Sequence, residues 1–500
     1  MANDQAHDTR TTFPEDRLAQ AISLIVVGMA AAFDGLASNY ALEILQPQPN
    51  LTTANRFYKA YPGFEYNVRM AVIGGKFPFM YSLPSAPAGM TINSSTGEIT
   101  WPSPTASGTP YSVTANVTDS ENTTQSVSWT VLVTTAGFLF VDAVNGTSTA
   151  AGGTGTIGNP WKTMRDMYGG DTIDDMRANF HAGSFVYWRA GNYALNSWIA
   201  NDAGDAMRAY FRGNTKANVW LRYPGDAKPV FQQYISHIYF EGGGSNRYLD
   251  GLQFKSDGYW RGMGITFASS NNNVVVRRCD LSGITTGGPG DNNALIFINK
   301  WGLGQNYVIQ DNIFSDVNEG YGVLNYQTKR VLVEGNTWTG IGAHCVGMKV
   351  RSERWDVRSN LFKNNAINAI ELHYNNASST EFSGDIEIRH NVIESGGGNV
   401  NVNQSYEAIG YPVYIYRNTI MDNAQQKYVT ATNGPFYWKN NIIISSSSSS
   451  DKIERADIED PSRLIVEDNL VGTAAENIVD AQGNLTAAYA EFIGTRGAQL

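Results

Sequence analysis

The stretch Val331-Leu332-Val333-Glu334-Gly335-Asn336-Thr337-Trp338 is one copy of a phrase that recurs eight times between residues 274 and 471: apolar, any, apolar, any, any, Asn, any, apolar. The other copies start at Val274, Tyr307, Trp355, Ile386, Val413, Phe436 and Leu464. Asn fills the sixth place as Asn312, Asn336, Asn360, Asn391, Asn418, Asn441 and Asn469; the first copy has Cys279 there. Successive sixth places lie 33, 24, 24, 31, 27, 23 and 28 residues apart. A fixed strand motif at a loosely fixed period marks a solenoid. Apolar residues two apart share one face of a strand, so the first and third places point into a core. The Asn is expected where the chain bends, because its side chain tolerates unusual backbone angles. Stacked coils about 4.8 Å apart then bring the amides into a hydrogen-bonded ladder.

A shortest repeat of 23 residues fits three short strands and three turns, and is too short for a propeller blade of about 40 residues. Longer coils are the same coil with one turn extended. With the phrase, this resembles the right-handed parallel β-helix of the pectate-lyase superfamily over residues 240–471. The fold class expected is all-β, a right-handed parallel β-helix preceded by a small Ig-like β-sandwich. Residues 44–135 supply the sandwich: Leu83-Pro84, Pro87 to Ile92, Ser95 to Trp101 and the alternating tail Tyr111 to Val133 resemble an Ig-like module of bacterial surface and phage proteins. Residues 136–500 form the helix with its capping segments, Phe138 opening it and residues 163–180 supplying a capping helix. An open solenoid end would otherwise expose unpaired backbone and apolar core.

Residues 1–43 are an extension carrying an apolar run at 19–33. The run is too short for a transmembrane helix, and its lead is acidic where a secretory signal is basic. It reads as a signal, an anchor or a docking helix, with no deep membrane insertion. Net charge is -10 over 500 residues, which argues against nucleic acid as partner. The two cysteines, Cys279 and Cys345, exclude a disulfide scaffold and read as buried free thiols.

A solenoid core is inert, so chemistry belongs on outward positions. A second apolar strip precedes each Asn phrase. Counting back from Asn336 and Asn360 aligns Asn325 and Gln327 with Lys349 and Arg351, and Glu371 and His373 follow on the next coil, all facing out. An Arg near a Lys lowers its pKa through like-charge repulsion. The family resemblance implies elimination on a uronate polymer, with Lys349 as base, Arg351 as carboxylate clamp and His373 as acid or alternative base. Glu371 would orient His373 or hold a metal, with Ca²⁺ the candidate cofactor and no other expected. Lys329, Arg330, Arg354 and Arg358 would form a basic margin, and Tyr414, Tyr416 and Tyr437 outward aromatics for stacking on sugars. Set against this, Gly-x-Lys-Val strands also occur in non-catalytic β-helices with the Lys merely solvated.

The function expected is binding and depolymerisation of an acidic polysaccharide, by β-elimination rather than hydrolysis, in a secreted or cell-surface protein. One alternative is a non-catalytic adhesin or a virion fibre or tailspike, homotrimeric in the last case. Another is a glycoside hydrolase pairing Glu371 with Glu353, Asp385 or Glu387.

Overall fold

The computed structural model describes residues 40–48, 55–163, 184–195, 208–211, 219–233, 237–240, 246–256, 263–267, 271–283, 293–298, 303–374, 384–395, 398–404, 412–422, 435–445, 462 and 464–472. The apolar run at 19–33 and most of the expected capping helix lie outside these residues. Among them no helix is long and apolar enough to cross a membrane.

From Phe138 onward the strands pair in parallel and stack into three faces. The first face carries the first half of each phrase, from Phe138–Val141 to Leu464–Glu467. The second carries the residues after the Asn and has 11 strands, from Asn192–Leu195 to Leu470–Gly472. The third runs from Arg208–Phe211 to Gly398–Gln404. On two coils the third face continues into the first without a break, in the long strands Tyr321–Glu334 and His344–Arg358. This is the parallel β-helix expected from the repeat, standing behind an Ig-like sandwich. Phrase positions one and three are buried in the first seven copies, as in Val331 with Val333 and Trp355 with Val357, and half-buried in the last, Leu464 with Val466. The closing apolar residues stack as well, Phe314 on Trp338 at 3.8 Å and Trp338 on Phe362 at 5.7 Å between ring centroids.

The amide ladder is present and continuous. Each Asn Oδ1 accepts from both the backbone N–H and the Nδ2 of the Asn one coil before, at 2.9–3.0 Å from Asn312 to Asn469. Nδ2 also donates to a strand carbonyl of the preceding coil, such as Val333 O from Asn360 at 2.9 Å. Cys279 ends the series: its N–H donates to Asn312 Oδ1 at 2.9 Å, and its thiol lies 3.2 Å from Arg277 O. Both cysteines are buried and free. One expectation needs correction. The unusual backbone angle belongs to the residue before the Asn, with φ between 51° and 68° at Arg278, Asp311, Gly335, Ser359, His390, Arg417, Asn440 and Asp468. That residue turns the corner in the left-handed region, which leaves the Asn side chain free to stack inside.

Residues 59–133 build two sheets, antiparallel except for Lys59–Ala60, which pairs in parallel with Leu132–Val133, and Val113, Ala115 and Val117 face inward in alternation. Their core does not close on itself. It continues into the outer side of the first solenoid face, where Phe138, Phe185, Val219, Tyr248, Val275, Val308 and Leu332 stand one per coil under the module. Beside this apolar row runs a polar one: Asp250, Arg277, Gln310, Glu334, Arg358 and Arg389, in register and almost fully buried. Glu334 accepts from Gln310 at 2.7 Å and from Arg358 at 2.9 Å, and Arg69 of the module lies 3.1 Å away. Arg277 reaches Asn67 at 2.7 Å and Glu98 at 2.9 Å. Arg389 donates to Asp356 and to the carbonyls of Gly74 and Gly75. Burying such a row is tolerable because each charge has a partner.

Several outward positions expected to meet sugar are used here instead. Arg358 is buried against Glu334 and Asp356, with its guanidinium over the Phe79 ring. Arg354 and Arg330 pair with Glu43 from the strand before the module, and Lys329 pairs with Glu353. Tyr416 is buried, donating to Glu387 at 3.4 Å and accepting from Arg389.

Two outcomes test this architecture. Asn360→Leu leaves buried amide partners unmet on both neighbouring coils, so the chain should lose about 1–3 kcal/mol per orphaned group in chemical denaturation. An unchanged midpoint would refute the ladder. Arg358 and Arg69 outweigh burial at Glu334 and hold its carboxyl down at about 2, against an ordinary 4.5. Its stabilising contribution is therefore complete above about pH 4.5 and lost as pH falls towards 2. Glu334→Gln should flatten that part of the acid-unfolding curve.

Candidate functional site

With the first face covered by the module, the third face is where outward side chains of a different kind gather. Ladder pairing fixes their rows. Phe297, Leu324, Gly347, Glu371 and Asn401 form one row across five coils. Tyr326, Lys349, His373 and Asn403 form the next. At the start of the strands His344 pairs with Asn368, two positions before the Val346–Ile370 pair.

Part of the expected patch forms and part does not. Lys349 and His373 do stand opposite each other on adjacent coils; the His373 side chain is outside the described atoms. Lys349 is aligned with Tyr326, however, not with Asn325. The count slipped by one because the ladder has an irregularity between Tyr326 and Thr328, where Gln327 and Arg351 adopt φ of 59° and 56°. A one-residue slip turns a side chain to the opposite side of a sheet. Asn325 accordingly points inward, fully buried, with Nδ2 donating to Ser352 Oγ at 2.7 Å and Oδ1 accepting from Thr328. Gln327 and Arg351 sit half-buried at the corner.

The cluster centres on Glu371. Its Oε2 lies 3.3 Å from His344 Nε2 and 3.4 Å from Tyr321 Oη. Asn368 Nδ2 is 3.1 Å from His344 Nδ1, which makes Nδ1 the acceptor and leaves Nε2–H directed at the carboxylate. Gly347 is needed for this packing. A Cβ there would fall 2.6 Å from the Tyr321 ring, so the absent side chain makes room for the tyrosine. Lys349 Nζ sits 5.1 Å from the centroid of Tyr321 and 5.7 Å from that of Tyr326, a cation over two aromatic faces. The expectation paired Glu371 with His373; the described contact is with His344. Tyr321 did not stand out in the sequence, and nothing there joined His344 to Glu371, because the repeat carries no information on which outward residues converge across coils.

Protonation is displaced in opposite senses. Burial raises the Glu371 carboxyl above its ordinary value, opposed by Lys349 and by the Tyr321 hydrogen bond. Burial lowers the Lys349 ammonium, opposed by Glu371. The direction for Lys349 is the expected one, but its cause is desolvation, not a neighbouring arginine. A carboxyl biased towards its neutral acid and an amine biased towards its neutral base thus share one outer surface, an arrangement suited to proton transfer. Among the described residues, no three His, Cys, Asp or Glu side chains gather as a metal site.

The remaining candidates lie elsewhere. Tyr414 and Tyr437 are half-buried on the first face and stack at 4.7 Å, with Tyr40 edge-on to Tyr414. The carboxylates considered as partners for Glu371 are separated from it: Glu387 is buried beside Tyr416 and Arg389, Glu353 pairs with Lys329, and Asp385 accepts from Tyr40 at 3.0 Å.

Residues 47–134 match the family model described as "Putative Ig domain". No curated protein sequence matches the chain. Solved structures similar to it include PfbA, a surface adhesin of Streptococcus pneumoniae, at 12% identity and TM-score 0.32, covering 53% of this chain and 77% of that one. Pectate lyase Pel9A has the same identity and TM-score, covering 69% and 84%. A tailspike protein mutant of E. coli bacteriophage HK620, in complex with a hexasaccharide, has 12% identity and TM-score 0.27, covering 55% and 62%.

The displaced carboxyl gives a signed prediction. As pH rises above the ordinary 4.5, unfolded Glu371 releases its proton first and folding loses stability until the folded carboxyl has also ionised. Denaturation midpoints measured from about pH 4 to pH 7 should show this decline, and Glu371→Gln should remove it. Parallel curves for the two proteins would contradict the assigned burial.

Proposed function

We propose that the outer side of the third face binds an acidic, uronate-containing polysaccharide and cleaves it by β-elimination. The observation that carries this reading is the juxtaposition of Lys349 and Glu371 on one outward surface, with their protonation displaced in opposite senses by burial. In the reaction, neutral Lys349 Nζ takes the proton at C5, the electron pair forms the C4–C5 double bond, and the C4–O4 bond breaks. Arg351 neutralises the substrate carboxylate, which acidifies that C5 proton. His373, in the same row as Lys349, delivers a proton to the departing O4 or exchanges roles with the lysine. Glu371, held by His344 and Tyr321, stands beside the lysine, and where it is ionised it counters the burial that favours the neutral amine. Ca²⁺ remains the candidate cofactor for screening substrate carboxylates. A secreted, cell-surface or virion setting fits a polysaccharide substrate.

A second reading has an observation of its own. Tyr321, His344 and Glu371 are each less than a tenth exposed and bond to one another, as a purely structural network would. On that reading the solenoid is a glycan-binding scaffold of an adhesin or tailspike without chemistry. Hydrolysis is the weaker option, because it needs two carboxylates flanking the bond, and the partners weighed for Glu371 are engaged elsewhere.

The experiment is direct. Incubation with alginate, pectate and glycosaminoglycans should produce the ultraviolet absorbance of unsaturated uronates. Lys349→Ala and His373→Ala should each lower kcat by about 10²–10⁴-fold, the usual contribution of a positioned acid or base, with the melting temperature retained. Binding without any absorbance change on all three polymers would select the scaffold reading.

A further inference from the structure

Where the module meets the early coils, a cleft of about 150 Å³ opens between Arg56, Glu65, Tyr187, Arg222, Asp250 and Arg278, three guanidinium groups against two carboxylates. Its charges are unevenly satisfied. Arg278 holds Asp250 through two bonds of 2.7 Å, so that pair is complete. Arg56 donates only to the backbone carbonyls of Lys59 and Glu65, and no carboxylate pairs with it among the described residues. Its side chain is 3% exposed, and Nε has no partner. Arg222 is exposed and, among the described residues, also lacks a paired carboxylate; the nearby Asp226 is taken by Arg189 at 3.1 Å. The Tyr187 hydroxyl is a further buried polar atom without a partner. Unpaired buried donors are costly and ask for an acceptor. Two guanidinium groups and a phenol around one small space define what that acceptor is. It is an oxyanion, which guanidinium recognises through paired N–H donors. At about 30 Å³ per water, the cleft holds roughly five waters' worth of space, enough for one sugar-sized group and not for a chain.

We infer that this cleft is a second binding site, taking a single carboxylate or sulfate group borne by a small anion or a terminal acidic sugar. Arg56 belongs to the module and Tyr187 and Arg222 to the solenoid, so the ligand ties the two together across the seam. The inference does not depend on chemistry at the third face.

Sulfate, D-galacturonate and neutral D-galactose are titrated calorimetrically into the full chain at constant ionic strength set with chloride. Binding of sulfate, galacturonate or both, with none of galactose, supports the site. Equal affinity for both anions identifies any oxyanion as the ligand, and preference for galacturonate assigns the acidic sugar. Arg222→Ala, at an exposed position, and Tyr187→Phe, which keeps the ring, should each weaken binding about tenfold, the loss of one charge-assisted hydrogen bond. Lys255→Ala, exposed on the second face, should bind as the parent does. Absence of anion binding overturns the proposal. So does parent-like binding by both cleft variants, or equal loss of binding in Lys255→Ala.

Discussion

Vertical registry of the coils is the constraint from which the rest of this structure follows. The amide ladder enforces it at every step. An Asn that donates to the coil behind and accepts from it at the same time cannot be shifted by one position without losing buried hydrogen bonds on both sides. Because the stack is locked there, coils of 23 to 33 residues still bring equivalent strand positions together, and extra length is expelled into turns. The left-handed residue before each Asn is part of the same device, since it makes the corner that lets the amide enter the interior.

Registry turns every outward position into a row, and the rows on the first face explain the module. An apolar row and a charged row run side by side under it, so the Ig-like sheets complete their core with solenoid side chains. Arg69, Asn67, Glu98 and the carbonyls of Gly74 and Gly75 answer the charged row in turn. The seam therefore combines an apolar core with specific polar pairings, as the inside of a domain does. A spacer swinging on a linker would show neither feature.

Under the module the first face is occupied, and ionisable groups gather on the outer side of the third. Its cluster draws on separate coils: Tyr321, then His344 with Lys349, then Asn368 with Glu371. Gly347 at its centre clears space for an aromatic ring. Burial displaces the carboxyl and the amine in opposite directions, so desolvation by the packed coils, and not a sequence motif, sets these displacements. The seam cleft follows the same logic, with charges left over where two independently built surfaces meet.

Much of the fold was legible in the residues alone. The alternation at phrase positions one and three, the Asn at six and the loose period of two to three dozen residues dictate a stacked parallel helix with an amide ladder, because strand periodicity and hydrogen-bond demand are local properties. Lys349 and Glu371 were likewise readable as outward, and Lys349 with His373 as neighbours on adjacent coils. Positions two and four of the phrase looked arbitrary and proved to be the docking surface, which no local rule reveals. Asn325 was misplaced because an irregularity of one residue reverses a strand's two sides, and the partners of Arg354, Arg358 and Tyr416 were not legible because they come from the strand before the module or from neighbouring coils. Sequence by itself determined how each coil is made. Which outward side chains meet, which are covered and which way their protons lean was decided only by the stacked and docked chain, since these depend on distances and burial that exist only after folding.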